Sequence, residues 1–224
     1  DYAIDKDAYI QVVKNGLATK ADSLIAPAVQ YHKANEIREY NVEKAKELLA
    51  EAGYPDGFDM TLYIASTTSR EKMAQMLQYY WGEIGVNLEI VSSTMAEWSA
   101  SVVDSWQSDA VNSYGVSWNS NPDPYGYLDK FFNTQTIHAS SNAGGYTNEE
   151  IDAKLVEAFS LTDQEERTAI YDEIMKQVMS EYTGLYYAYE CRNWAVSERV
   201  NDAILRADSQ MIVTSPFNNV WLAQ

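Results

Sequence analysis

The stretch FDMTLYIASTTSREKMAQMLQYYWGEIGVNLEI, residues 58–90, decides the fold. At its start Phe58, Met60, Leu62 and Ile64 alternate, the period-2 pattern of a strand. Met73, Met76, Leu77, Tyr80, Trp81 and Ile84 then recur at helical spacing, with Ser69 placed to cap the helix and Gly85 to stop it. Val86, Leu88 and Ile90 return to alternation. Strand, helix and strand in succession form a βαβ unit, whose right-handed crossover makes the two strands parallel. The apolar helical stripe reads as core rather than as a binding face.

Upstream of this unit, Asp5 caps a helix running through Lys14, with Gly16 as its stop. Asn41 caps NVEKAKELLAEAGY, in which Ala45, Leu48, Leu49 and Ala52 share a face ahead of Gly53. PDG at 55–57 is a turn. Downstream, residues 94–107 make a weaker helix and AVNSYGVSW, 110–118, a buried strand. Helices follow at 147–160 and 162–181, each opened by a capping box, Thr147 with Glu150 and Thr162 with Glu165. LYYAYE, 185–190, is a further strand, and the tail holds strand-like pieces. The expected architecture is α/β: a mixed sheet with a parallel βαβ core flanked by helices, in a single lobe over 1–224.

Composition narrows the function. The 224 residues carry 33 acidic and 16 basic side chains, a formal net charge of −17. Such a charge repels phosphate backbones and anionic membranes, which argues against nucleic-acid and lipid-surface partners. Six tryptophans and 17 tyrosines against five phenylalanines supply apolar faces with polar handles, suited to sugars, peptides and interfaces as well as to core packing. Cys191 is the single cysteine, so no intrachain disulfide forms; within GLYYAYECRNWAV it reads as an inert buried thiol. His32 and His138 lack a Cys or acidic partner at ligand spacing, and neither a metal nor a cofactor is expected. No apolar run reaches transmembrane length. The opening DYAIDKDAYIQ, with no initiator Met or signal segment, reads as the middle of a longer chain.

In open α/β sheets, ligands sit beyond the carboxyl ends of the strands. One such place is Ala65-Ser66-Thr67-Thr68-Ser69. Its hydroxyls, with the helix N-terminus behind them, can hold an anion or a carbonyl, or can simply cap the helix; Ser66 and Thr67 are the candidate ligand contacts. The other is SWNSNPDPYGYL, 117–128, after the strand ending at Trp118. Asn119, Asn121 and Asp123 have the alternate spacing of an EF-hand start, but Pro124 stands where that loop needs glycine and Lys130 where it needs glutamate. Asp123, with Asp129 beyond it, has no second catalytic partner in the sequence, and no nucleophile motif is present. A ligand cradle fits better. Trp118 offers a flat apolar wall, Asn119 and Asn121 both donate and accept, Asp123 adjoins them, and Pro122 and Pro124 stiffen the turn. Paired carboxylates meeting in space would instead mark a sugar-active hydrolase, and a lobe without a cleft a purely structural domain.

Five segments carry a family resemblance: YAIDKDAYIQVVKNGLAT from Tyr2, YNVEKAKELLAEAGYPDGFDMTLYI from Tyr40, MAQMLQYYWGEIGVNLEI from Met73, SWNSNPDPYGYL, and YTNEEIDAKLVEAF with the following ERTAIYDEIMKQV. In this order they resemble the second, C-terminal lobe of bacterial oligopeptide/dipeptide-type solute-binding proteins, family 5. The resemblance implies half of a two-lobed clamp, its first lobe absent here and 205–224, with PFNNVWLAQ, returning toward that lobe. It implies an extracytoplasmic receptor, periplasmic or a cell-surface lipoprotein. Such a receptor captures a peptide, oligosaccharide, nickel complex or other small solute and delivers it to the permease subunits of an ABC importer. It also implies that Trp118 lines the pocket. An Asp three residues later anchors the α-amino group in the family's peptide binders; here that position is Asn121, and aligning on the Asp-Pro pair instead deletes the anchor. A charged hydrogen bond contributes about 1.5–3 kcal/mol against about 1 for a neutral one, so ordinary peptides lose their main tether.

Overall fold

A computed structural model describes residues 1–27, 29–105, 112–115, 123–137, 142, 144–191, 195–201, 204–205, 211–212 and 221–222. Helix α1 (Lys6–Val12) starts where the Asp5 carboxylate accepts the Ala8 N–H at 2.8 Å. It closes at Val12 rather than Lys14, because Asn15 and Gly16 turn the chain at φ 51° and 76°. Strand β1 (Ala18–Lys20) follows, then helix α2 (Val42–Glu51), where Asn41 accepts the Lys44 N–H at 2.9 Å. Each cap satisfies a first-turn donor that has no partner within its helix.

The βαβ unit is strand β2 (Asp59–Ala65), helix α3 (Thr68–Gly82) and strand β3 (Asn87–Ser93). The strands run parallel from Asp59↔Asn87 to Ala65↔Ser93. Helix α4 (Met95–Ser105) leads to strand β4 (Asn112–Gly115), which pairs with the other edge of β2, again parallel, with Ile64 opposite Gly115. The sheet order is β3-β2-β4. Both faces are covered. Leu62, Ile64 and Leu88 pack with Met73, Ala74 and Leu77 of α3 and with Tyr9 and Ile10 of α1. Tyr63 and Ala65 meet Trp98 and Val102 of α4, and the Trp98 indole donates to the Tyr63 carbonyl at 3.1 Å.

A second core lies among helices α5 (Tyr125–Phe132), α6 (Glu149–Ser160) and α7 (Gln164–Ser180). Leu128, Ile151, Leu155, Tyr171 and Ile174 are among its fully buried members, joined by Ile25 from the irregular segment after β1. Antiparallel pairing occurs in separate two-stranded ladders: β1 with β5 (Ala188–Glu190), and in the tail 200–201 with 221–222 and 204–205 with 211–212. The α/β class with a parallel βαβ core therefore holds.

Three caps differ from the sequence reading. Thr67, not Ser69, caps α3, and the capping boxes at Thr147 and Thr162 give way to Asn148 and Asp163. The carboxyl or amide oxygens of the last two each accept two first-turn N–H groups. Asn and Asp are better caps than Thr, so the start shifts onto the stronger acceptor. Cys191 is exposed, not buried. Its backbone N–H is tied to the Leu17 carbonyl at 3.1 Å, but the short β1–β5 ladder ends at Glu190, and among the described residues the side chain stays exposed.

On α7, Asp172 is largely buried and accepts from Lys176 at 2.8 Å and Lys33 at 3.2 Å. Burial alone would raise its pKa; the two lysines outweigh burial and hold it below the ordinary value. A depressed carboxylate contributes stability that is present above its unfolded pKa and is lost as pH falls through the folded one. Thermal melts across pH should therefore show Asp172→Asn less stable than the unsubstituted protein at neutral pH, with the gap closing below about pH 4. A gap that does not change with pH would count against the ion-pair account.

Candidate ligand-binding site

The carboxyl ends of β2 and β3 are clipped together. The Ser66 N–H donates to the Ser93 carbonyl at 2.7 Å. The Ser66 and Ser92 hydroxyls both donate to Glu71 Oε1, at 2.7 and 3.3 Å. Thr67 is extended at φ −151° and accepts the Arg70 N–H, so capping does occupy its hydroxyl. Arg70 Nη1 donates to the Ala65 carbonyl at 3.2 Å, and Ser69 accepts from Lys14 at 2.6 Å. Ser66 and Thr67 are exposed at this edge. Glu71 and Arg70 were not singled out from sequence; an acid in the first turn of a helix is the only local signal for Glu71.

Asp123 sits just before Pro124, the N-cap of α5, and three groups hold its half-exposed carboxylate. Its Oδ1 accepts the Tyr125 N–H at 2.9 Å and the Tyr171 hydroxyl at 3.1 Å, while Oδ2 takes Arg167 Nη2 at 2.6 Å. Arg167 also donates from Nε to the Ala158 carbonyl, from Nη1 to the Tyr31 hydroxyl, and from Nη2 to the Tyr171 oxygen. Its guanidinium lies 5.4 Å from both the Tyr31 and Tyr171 ring centroids. Burial, chiefly, pushes the Tyr171 phenol up to about 12, so it stays a neutral donor. Asp123 is thus anchored within the lobe. Arg167 and Tyr171 share a face of α7 at i, i+4, but nothing local links them to an aspartate so far upstream, and sequence reasoning missed them.

Trp118, Asn119 and Asn121 lie outside the described residues. The strand leading to them, β4, ends at Gly115 on the same sheet edge as Ser66 and Thr67, because Gly115 is in register with Ile64. His138 also lies outside the described residues. His32 has an acidic partner that its spacing did not suggest: Nε2 lies 2.9 Å from Asp22 Oδ1, which also accepts the Tyr189 hydroxyl. Among the described residues no group of three or more His, Cys, Asp or Glu converges.

A parallel sheet with helices on both faces and loops at its carboxyl edge defines an open α/β lobe. Residues 1–139 match the family described as bacterial extracellular solute-binding proteins, family 5 Middle, and the chain belongs to this family. It is 34% identical over 179 residues to heme-binding protein A of Haemophilus influenzae, covering 77% of this chain and 32% of that one. It is 30% identical over 185 residues to the glutathione-binding protein GsiB of Salmonella typhimurium, covering 81% and 36%. The crystal structure of a dipeptide binding protein from Pseudoalteromonas sp. SM9913 in complex with Met-Leu superposes with a TM-score of 0.78 at 27% identity, covering 91% and 41%. The chain thus spans only about a third of the length of these curated relatives. All three are named for binding a solute rather than for a reaction, which favours a binder over a sugar hydrolase. No helix among the described residues is long and apolar enough to cross a membrane.

Proposed function

We propose that this chain is one lobe of an extracytoplasmic receptor that captures a peptide or other small solute against a second lobe and hands it to the permease of an ABC importer. In this reading residues 205–224 return toward the second lobe, and Trp118, Asn119, Asn121, Ser66 and Thr67 face the ligand. The observation that carries it is the parallel register of β4 with β2, which brings the segments after Ala65 and after Gly115 to one edge of the sheet. The relatives that bind heme, glutathione and Met-Leu support a small-solute ligand. Asp123 stays among the proposed contacts: its oxygens serve Arg167, Tyr171 and Tyr125, yet its side chain is 46% exposed and Oδ2 accepts only one of those bonds. With Asn121 uncharged, the ammonium anchor of peptide binders is missing, which favours a ligand held by stacking and neutral hydrogen bonds.

Thermal-shift screening of the full-length receptor against dipeptides, glutathione, hemin and oligosaccharides tests the proposal. A ligand at 100 times its Kd should add roughly 2.7 kcal/mol of apparent stability. With a hit in hand, Trp118→Ala should weaken binding by about 1–3 kcal/mol with little change in folding stability. A core tryptophan would instead cost about 3–5 kcal/mol of stability and would remove Trp118 from the site. Asn121→Asp should improve binding of ligands with a free ammonium and leave neutral sugars unaffected; unchanged peptide affinity would mean that Asn121 is not the anchor position.

A further inference from the structure

We infer that Tyr40, Tyr79 and Tyr80, with Glu83 and Asp5 beside them, form a docking face for an arginine- or lysine-bearing segment of a protein partner. The face lies at the amino end of the parallel sheet, away from Ser66 and Thr67, and does not rest on the site reading above.

Three observations carry it. First, the face is aromatic and open. The Tyr40 and Tyr80 ring centroids lie 5.5 Å apart at 68°, and those of Tyr79 and Tyr80 5.3 Å apart at 72°. Tyr80 packs against the core beneath, while Tyr79 is 65% exposed and Tyr40 41% exposed. Rings at steep angles turn their negative faces in more than one direction, an arrangement that suits an ammonium or guanidinium group. Second, the charge around the rings has one sign. The Tyr40 hydroxyl donates to Glu83 Oε2 at 3.2 Å. Burial first, then the Asp5 carboxylate that caps α1, raises the Tyr80 phenol. Among the described residues neither Asp5 nor Glu83 has an ion-pair partner, and Lys44, in the first turn of α2, is taken by Glu47 at 2.8 Å. Third, the face is remote from the ligand edge. Thr67 caps α3 at the carboxyl ends of the strands, and Tyr79 follows about 18 Å farther along the helix axis.

Shape and charge select the occupant. Small ligands need a concavity that buries most of their surface, whereas these rings stand open. A second copy of the chain would bring the same acids, with a formal net charge of −17 against its like. Tyrosine and arginine are enriched at protein interfaces, and a guanidinium over a tyrosine ring is a favourable contact between them. A basic protein segment meets every one of these conditions.

The probe is acetyl-tetra-arginine amide, titrated into full-length receptor whose tyrosine rings carry carbon-13. The Tyr40, Tyr79 and Tyr80 signals, assigned with single Phe substitutions, should shift saturably, and acetyl-tetra-glutamine amide should leave them in place. Tyr79→Leu keeps the charge and an apolar side chain but removes the ring. It should weaken the arginine probe about two- to fivefold, the range of an exposed cation–π contact, while Tyr79→Phe should not. The exposure of Tyr79 makes both variants safe for the fold. Glu83→Gln should weaken the probe more than Glu149→Gln, which removes the same charge from α6 in the other core. Unmoved tyrosine signals overturn the inference, as does a Tyr79→Leu variant that binds the probe as well as the unsubstituted protein. Equal losses for Glu83→Gln and Glu149→Gln would reduce the effect to general attraction by an acidic surface and would also overturn it. So would free argininamide binding as tightly as the peptide, the mark of a small-cation site. Sedimentation velocity supplies the last arm: self-association that Tyr79→Leu abolishes would make a second copy the occupant and remove the basic partner.

Discussion

Gly57→Ala should destabilise this lobe by about 2–5 kcal/mol in urea unfolding. Gly57 lies at φ 80°, in the turn that launches β2, and Gly85 at φ 85°, in the turn that launches β3. The two turns lie against each other. A Cβ built on Gly57 would fall inside the Gly85 carbonyl, and one on Gly85 would come within 2.7 Å of the Asp56 carbonyl oxygen. Two costs add. The left-handed backbone costs an L-residue about 1–2 kcal/mol. Forcing two packed backbones apart costs about 1–3 more. Because Asn87 N–H to Phe58 carbonyl at 2.9 Å is the first link between β2 and β3, the strain falls on the start of the parallel ladder. Gly53→Ala separates the two terms. Gly53 has φ 90° but an added Cβ there meets nothing within 4 Å, so only the backbone cost of about 1–2 kcal/mol should appear. Equal losses at the two glycines would show that the turns do not touch.

Leu155→Ala should lose about 3–4 kcal/mol, while its neighbour Val156→Ala should change stability by no more than about 0.5 kcal/mol. Both residues are aliphatic and adjacent on α6, yet Leu155 is 0% exposed and Val156 66% exposed. Leu155 packs in the core that α5, α6 and α7 share with Ile25. Deleting its branch removes apolar burial and leaves a cavity that three helices cannot all close. Val156 faces away, and replacing a β-branched residue on an exposed helix face by alanine removes a small propensity penalty. Equilibrium urea melts of the two variants check both values. A large loss at Val156 would mean that its face is covered in solution.

The βαβ unit was legible because its two periodicities are undiluted. Leu62 and Ile64 fall on one face, Met73 and Leu77 on one stripe, and Gly85 supplies the positive φ that only a turn requires. The other long helices were equally legible, but α5 (Tyr125–Phe132) was not expected from sequence, and helix starts were not legible. TTS at 67–69 offers three hydroxyls in a row, and only the extended backbone of Thr67 selects the cap. The other face of β2 was not read. Tyr63 and Ala65 are a half-polar ring and a small side chain, and it is Trp98 and Val102 from α4 that make their face core.

By itself the sequence determined the α/β class, the parallel crossover and the family, since these follow from patterns local to a few dozen residues. Tertiary structure alone decided what each polar group is free to do. Asp123 reads in sequence as one more carboxylate beside an asparagine-rich loop; Arg167 and Tyr171, reached only by folding α7 against α5, turn it into a clasp. Cys191 sits in an apolar run, yet the end of the β1–β5 ladder leaves it exposed. The physical reason is common to both. Periodicity depends on neighbours along the chain, whereas hydrogen-bond saturation and burial depend on neighbours across it, and no local pattern records which distant donor arrives.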